Sequence, residues 1–208
     1  MPRQARENTL ASFDLALQAG ADAIELDVHV SADGVVVVHH DPRIGGSEGE
    51  MIERLTRGVL ARYGVPTLDE VCDLVREQAT LYVEAKARRS AASIIECLTA
   101  HSVRAAVHSF DAAVISTVRE FAPTMATGFL VDYLAGDAAA VVLAHGVRDF
   151  WPHRKLITAR LVDDVHRVGA RVIAWTVNDV DDARRLHELG VDGLCSDDVR
   201  ALRSALQI

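Results

Sequence analysis

The sequence predicts one α/β domain, over residues 1–208, in which strands alternate with helices around a mainly parallel sheet. Three observations support this fold class. Short runs rich in β-branched and aromatic residues recur along the chain, amphipathic segments of helical period lie between most of them, and no linker interrupts the pattern. With 208 residues, 50% of them apolar, the chain can form one well-buried core but is short for two ordinary domains.

The chain opens with a predicted helix over residues 7–18, because apolar side chains recur at helical spacing and Gly20 follows where a helix would stop. A β-hairpin comes next. Its first strand covers residues 23–30, a tight turn lies at 32–34, and the second arm runs over 35–42. This hairpin interrupts the strand–helix alternation.

Residues 45–58 carry little pattern, so we interpret them as a mobile loop beside the site. Thr67 with Glu70 three residues later has the spacing of a capping box and predicts a helix over 67–78. Further helices are predicted at 92–99, 159–168 and 179–189. With the second hairpin arm set aside, seven parallel strands are predicted at residues 23–30, 81–86, 105–110, 126–131, 147–150, 171–177 and 193–197.

Seven strands are one fewer than the eight of a TIM (β/α)₈ barrel, and the chain begins on a helix, whereas such a barrel begins on a strand. We therefore expect a TIM-type barrel whose first strand is missing from the chain. Either the barrel is open or the given start is internal. The pattern does not define an oligomeric state, although a partner chain could cover the unpaired edge.

Composition excludes some partners. The formal net charge of −8 provides no basic surface for a nucleic-acid backbone or an anionic membrane, and no apolar run reaches the roughly 18 residues needed to span a bilayer. The N-terminus lacks the apolar core of a signal peptide. Cys72, Cys97 and Cys195 are few and far apart, which is typical of reduced thiols in a cytoplasmic protein.

Two pairs of charged residues indicate a metal site. Glu25 and Asp27 are two residues apart on a predicted strand, so both side chains point to one face. A divalent cation bound there would balance their negative charge. The alternative is a surface strand on which both acids are solvated. Glu84 and Lys86 repeat the spacing on the next predicted parallel strand. A third carboxylate would complete an oxygen-rich site for Mg²⁺ or Ca²⁺, and Lys86 would meet a phosphate oxygen, unless the two form an ordinary strand-end pair.

Other side chains could complete such a site. His39 and His40 end the second hairpin arm, and alternation along a strand lets only one of them face the site as a general acid or base. A structural histidine is the alternative. Trp175, in the predicted strand 171–177, is either a wall for an apolar or choline-like group or a core-filling side chain.

Taken together, the segments ENTLASF, IELDVHVSADGVVVVHHDP, PTLDE, VEAK, HSFD, WTVN and GVDGLCSD resemble the glycerophosphodiester phosphodiesterase family in order and spacing. The resemblance implies a TIM barrel that hydrolyses small glycerophosphodiesters to an alcohol and glycerol 3-phosphate. It assigns one divalent cation to Glu25, Asp27 and Glu84, acid–base catalysis to His40, and a phosphate contact to Lys86.

The chain departs from the family at its start. The family carries a His-Arg-Gly motif at the end of its first strand, which would fall immediately before Met1 here. A mis-assigned start would explain the missing motif and the missing strand together. The alternatives are a catalytically impaired relative that binds phosphodiesters or metal, and an unrelated barrel protein with solvated carboxylates.

Overall fold

The computed structural model describes residues 4–208, in which strands and helices alternate. The helices are α1 (Leu10–Gln18), α2 (Arg57–Ala61), α3 (Leu68–Val75), α4 (Ala91–His101), α5 (Ala112–Phe121), α6 (Ala138–His145), α7 (Ala159–Arg167), α8 (Val180–Glu188) and α9 (Val199–Leu206). The strands are β1 (Ala23–Val30), β2 (Val36–Val38), β3 (Arg43–Ile44), β4 (Glu50–Met51), β5 (Thr80–Ala85), β6 (Ala105–Ser109), β7 (Ala126–Val131), β8 (Asp149–Pro152), β9 (Arg171–Ala174) and β10 (Gly193–Leu194). Among these helices none is long and apolar enough to cross a membrane.

Eight of the strands form one curled sheet in the order β10-β9-β8-β7-β6-β5-β1-β2. Every neighbouring pair is parallel except β1 and β2, which form the predicted antiparallel hairpin. No ladder joins β10 to β1 within residues 4–208, so the sheet is an open half-barrel. The predicted TIM-type α/β architecture, with seven parallel strands and a hairpin after the first helix, is confirmed.

Side chains alternate between the two faces of each strand, so the sheet has a face covered by helices and a face that lines the barrel. Ile24, Leu26 and Val28 of β1 point outward and pack with buried residues of α1, α3 and α4 in the main core. The opposite face of the sheet lines the barrel, where Tyr82 and Trp151 pack with small and aliphatic side chains of neighbouring strands. Residues two apart on β1 therefore share either the helix-covered face or the barrel interior.

Several element boundaries differ from the prediction. Helix α1 begins at Leu10 rather than residue 7, because Thr9 caps it in a reciprocal capping box with Ser12. Strand β8 lies two residues later than predicted, because its ladder with β7 continues through Trp151 and Pro152. Strands β9 and β10 end earlier than predicted, so the WTV and CSD segments lie in loops at the barrel mouth.

Residues 45–58, interpreted as a mobile loop, are only partly a loop. They include β4 of the β3–β4 hairpin, a 3₁₀ turn at Ile52–Arg54 and the start of α2. Ile52, Leu55 and Leu60 are buried in a small core together with Val37 of β2. Such a segment has short elements without clear periodicity, and its order comes from contacts with residues distant in the sequence.

Candidate active site

A cavity of about 870 Å³ lies in the barrel and reaches the carboxyl ends of its strands. Its volume falls in the range of small-molecule sites. Glu25 and Asp27 both line it, as their two-residue spacing on β1 predicts. Glu84, Lys86 and His40 line it as well, so the hairpin and β5 contribute to one site.

Strand register brings the polar residues together. Asp27 of β1 lies opposite Glu84 of β5, and Glu84 lies opposite His108 of β6. Because parallel strands lie about 4.8 Å apart, these three side chains form a row across three strands. Glu25 precedes Asp27 by two residues on the same strand face and lies beneath this row.

Lys86 joins two of the carboxylates. Its ammonium Nζ lies 2.6 Å from Asp27 Oδ1 and 2.6 Å from Glu84 Oε1. Burial opposes the charge, but the two carboxylates raise the pKa of Lys86, so it remains an ammonium. Burial opposes ionisation of Asp27, but the Lys86 ammonium and the hydrogen bond from Asn8 hold the pKa of Asp27 below its ordinary value.

Asn8 is a site residue that sequence reasoning missed. Its side-chain amide donates to Asp27 Oδ2 at 2.9 Å, and its amide oxygen accepts from the Asp27 backbone N–H at 3.1 Å. Asn8 adopts a left-handed conformation, with φ 53°, which asparagine tolerates better than most residues. One feature of the sequence could have pointed to Asn8. It directly precedes Thr9, the N-cap of α1, and capping by Thr9 does not require an asparagine at that position.

His108 is the second residue that sequence reasoning missed. It is fully buried, and its Nε2 lies 3.2 Å from Glu25 Oε1. Burial lowers the pKa of His108 to about 4, and burial together with Asp27 raises the pKa of Glu25 to about 8. At neutral pH a neutral imidazole therefore lies against a carboxyl group that retains its proton. Only its position in the HSFD segment distinguished His108 from the other scattered histidines.

The donor set fits a divalent cation. Ligand atoms of Glu25, Glu84 and His108 lie within 4.8 Å of one another, and the Asp27 carboxylate is adjacent to them through Lys86. Carboxylate oxygens suit hard cations such as Mg²⁺ and Ca²⁺, while imidazole widens the choice of metal. Burial first, and then the neighbouring Asp27 carboxylate, raise the pKa of Glu25, and a bound cation would favour its ionised form.

The two hairpin histidines occupy different environments. His40 is exposed at the cavity mouth, and its Nδ1 lies 2.9 Å from Asp41 Oδ1, a hydrogen bond that raises the pKa of His40. His39 directs its Nδ1 to the Asp41 carbonyl and does not line the cavity. His29 fixes the His40 backbone through a 3.1 Å contact of its Nε2 with the carbonyl oxygen.

Aromatic side chains form part of the cavity wall. Trp175 and Phe110 meet edge to face with ring centroids 5.5 Å apart, and both line the cavity. The indole N–H of Trp175 donates to the Trp151 carbonyl at 2.8 Å, which fixes the ring. Trp175 is partly buried and lines the cavity, whereas Trp151 is almost fully buried in the barrel interior.

The chain is similar to known proteins along nearly its whole length. A glycerophosphodiester phosphodiesterase from Caldanaerobacter subterraneus is 29% identical over 94% of this chain and 90% of its own length. The structure of an Oleispira antarctica phosphodiesterase, in complex with the product sn-glycerol-3-phosphate, superposes with a TM-score of 0.91 at 25% identity, covering 99% of this chain and 93% of that one. A Thermotoga maritima glycerophosphodiester phosphodiesterase gives a TM-score of 0.85 at 25% identity, with 97% and 93% covered. The model of the glycerophosphoryl diester phosphodiesterase family matches residues 1–201, and the chain belongs to that family of phosphodiester hydrolases.

Proposed function

We propose that the protein hydrolyses glycerophosphodiesters to an alcohol and glycerol 3-phosphate, using one divalent cation, Mg²⁺ or Ca²⁺, held by Glu25, Asp27 and Glu84. The observation that carries the proposal is the convergence of these three carboxylates with Lys86 in the barrel cavity. The glycerol 3-phosphate bound to the Oleispira relative supports the choice of substrate class.

Charge balance supports the need for a cation. A metal ion bound by Glu25 displaces the proton of that carboxyl group, and three ionised carboxylates with one ammonium then carry two negative charges, which without the ion would repel an anionic phosphodiester. A divalent cation balances that excess and, when bound, supplies a Lewis acid to the phosphoryl oxygens. Within the chain, Lys86 bridges two carboxylates and has one further N–H to donate to a phosphate oxygen.

Proton transfer is assigned to His40. Its exposed position at the cavity mouth leaves the imidazole free to reach the attacking or leaving oxygen, and the hydrogen bond with Asp41 raises the pKa of His40. His108 is unsuited to this task, because its pKa is lowered to about 4 by burial. His108 instead orients Glu25 through the contact between Nε2 and Oε1.

The leaving alcohol is assigned to the aromatic wall. Trp175 and Phe110 present ring surface to the cavity, and indole faces attract quaternary ammonium groups by cation–π interaction. A choline headgroup fits this chemistry, so glycerophosphocholine is the substrate of choice for an assay.

The experiment measures glycerol 3-phosphate release from glycerophosphocholine with added Mg²⁺ or Ca²⁺, and metal affinity by calorimetric titration. We expect His40→Asn to lower kcat by about 10²–10⁴-fold, the usual contribution of general acid–base catalysis. His39→Asn is the matched control and should retain activity, because His39 does not line the cavity.

The carboxylates are tested separately. Glu25→Ala and Glu84→Gln should each weaken metal binding strongly, whereas solvated surface acids would leave it unchanged. If the wild-type protein binds metal but releases no glycerol 3-phosphate, the alternative function applies, that of a phosphodiester- or metal-binding relative with impaired chemistry.

A further inference from the structure

A second cluster of metal-ligating side chains lies outside the barrel, between helices α3 and α4. Asp69 and Cys72 are three residues apart on α3, and Cys97 and His101 are four apart on α4. Residues at these spacings lie on one helical face, and α3 packs against α4. Two helix faces therefore direct oxygen, sulfur and nitrogen donors toward each other.

The donor distances suit a tetrahedral ion. Ligand atoms of Asp69, Cys97 and His101 lie within 4.8 Å of one another. Asp69 Oδ1 is 3.6 Å from Cys97 Sγ and 3.0 Å from His101 Nε2. Tetrahedral zinc with ordinary bond lengths separates sulfur and oxygen ligands by about 3.5 Å, and nitrogen and oxygen ligands by about 3.3 Å.

Two neighbours support the three donors. Asp73 Oδ1 lies 3.7 Å from the other ring nitrogen of His101, the position where a carboxylate commonly orients a metal-bound histidine. The buried Cys72 thiol lies beside Cys97, on the facing side of α3. The Cys72 contact and burial raise the pKa of Cys97, so a bound cation would displace a thiol proton.

We propose that Asp69, Cys97 and His101, with Cys72 adjacent, bind one thiophilic divalent cation such as Zn²⁺ between α3 and α4. Thiol and imidazole donors select Zn²⁺ over the hard cations that suit the barrel carboxylates. The side chains of Cys97 and Cys72 are largely buried while Asp69 is 57% exposed, so the ion can enter from solvent. The site joins two outer helices and is independent of the barrel chemistry.

Cobalt binding to the full-length protein tests the proposal. The Cys195→Ser variant serves as the parent, because Cys195 is the third thiol and lines the barrel cavity. After chelator treatment, titration with Co²⁺ should produce a thiolate-to-cobalt charge-transfer band that saturates at one ion per chain and disappears when Zn²⁺ is added. Cys97→Ala should abolish the band.

Surface variants separate loss of metal binding from loss of folding. His101→Gln and Asp69→Asn keep the side-chain size, and each should weaken Zn²⁺ affinity at least tenfold with an unchanged circular dichroism spectrum. Zn²⁺ should raise the melting temperature of the parent but not of His101→Gln. Absence of the band, or its persistence after Cys97→Ala, would overturn the proposal and leave Asp69 and His101 as a plain ion pair between helices.

Discussion

Removal of the Asn8 side chain tests the most specific contact of the site. Asn8→Gly deletes a hydrogen bond to a carboxylate, contributing about 1.5–3 kcal/mol, and one to a backbone N–H, contributing about 0.5–1.5 kcal/mol. The Asp27 side chain is only 9% exposed, so water replaces these bonds poorly. We expect the free energy of unfolding to fall by about 2–4 kcal/mol.

Glycine is the informative replacement because of the backbone conformation. Asn8 has φ 53°, which glycine adopts freely, whereas Asn8→Ala should cost about 1–2 kcal/mol more through steric strain. Ser102 provides a matched control, since it also has φ 53° and is exposed. Ser102→Gly should change stability by less than about 1 kcal/mol.

Urea denaturation followed by circular dichroism measures the free energy of unfolding of Asn8→Gly, Asn8→Ala and Ser102→Gly. In thermal unfolding, Asn8→Gly should melt about 5–15 °C below the wild type. Calorimetric titration should also show weaker Mg²⁺ binding, because Asp27 loses one of the groups that orient its carboxylate. A variant Asn8→Gly as stable as Ser102→Gly would show that the hydrogen bonds between Asn8 and Asp27 contribute nothing to folding.

Three further predictions concern the barrel interior. The pKa of Glu25 is raised from 4.5 to about 8. Between these pH values the folded protein, freed of metal by a chelator, therefore holds a proton on Glu25 that the unfolded chain releases. Its free energy of unfolding should therefore fall as pH rises across that interval, and Glu25→Gln should flatten the profile; an unchanged slope in that variant would contradict the assignment. Gly128→Ala should destabilise the protein by about 1–3 kcal/mol in urea denaturation, because the added methyl would lie 2.8 Å from Trp151 Nε1; wild-type stability would show that Trp151 shifts freely. Trp175→Leu should raise KM for glycerophosphocholine by about 2–30-fold, from a cation–π contribution of about 0.5–2 kcal/mol, but not for glycerophosphoglycerol; equal effects on both substrates would argue against a choline contact.

The sequence was sufficient for the strand-borne part of the site. Glu25 and Asp27 share a face because strand side chains alternate, and Glu84 reaches them because the next parallel strand pairs beside β1. Both inferences need only local periodicity and the rule that consecutive βα units place parallel strands together. Alternation along the hairpin arm left His39 and His40 both open, and the choice of His40 came from the family resemblance; β2 ends earlier than predicted, at Val38.

The contributions of Asn8 and His108 could not be obtained from pattern alone. Asn8 lies before the first helix, and its contact with Asp27 depends on how the chain enters α1, which no periodicity encodes. His108 lies in a buried strand, where histidine is usually structural, and its proximity to Glu25 depends on the stagger across β1, β5 and β6. Tertiary geometry, and not residue type, distinguishes these residues from their neighbours.

The two donor clusters have a consequence for any metal experiment on this protein. The barrel cluster offers carboxylates with one imidazole, and the α3–α4 cluster offers thiols, an imidazole and one carboxylate. Hard cations favour the first set and thiophilic cations favour the second, so Mg²⁺ and Zn²⁺ should bind at different places. A strong chelator would remove the metal ions from both clusters. The loss of stability would then arise from the α3–α4 cluster, and the loss of turnover from the barrel cluster. Restoring Mg²⁺ alone should therefore recover glycerol 3-phosphate release without recovering the melting temperature that Zn²⁺ confers.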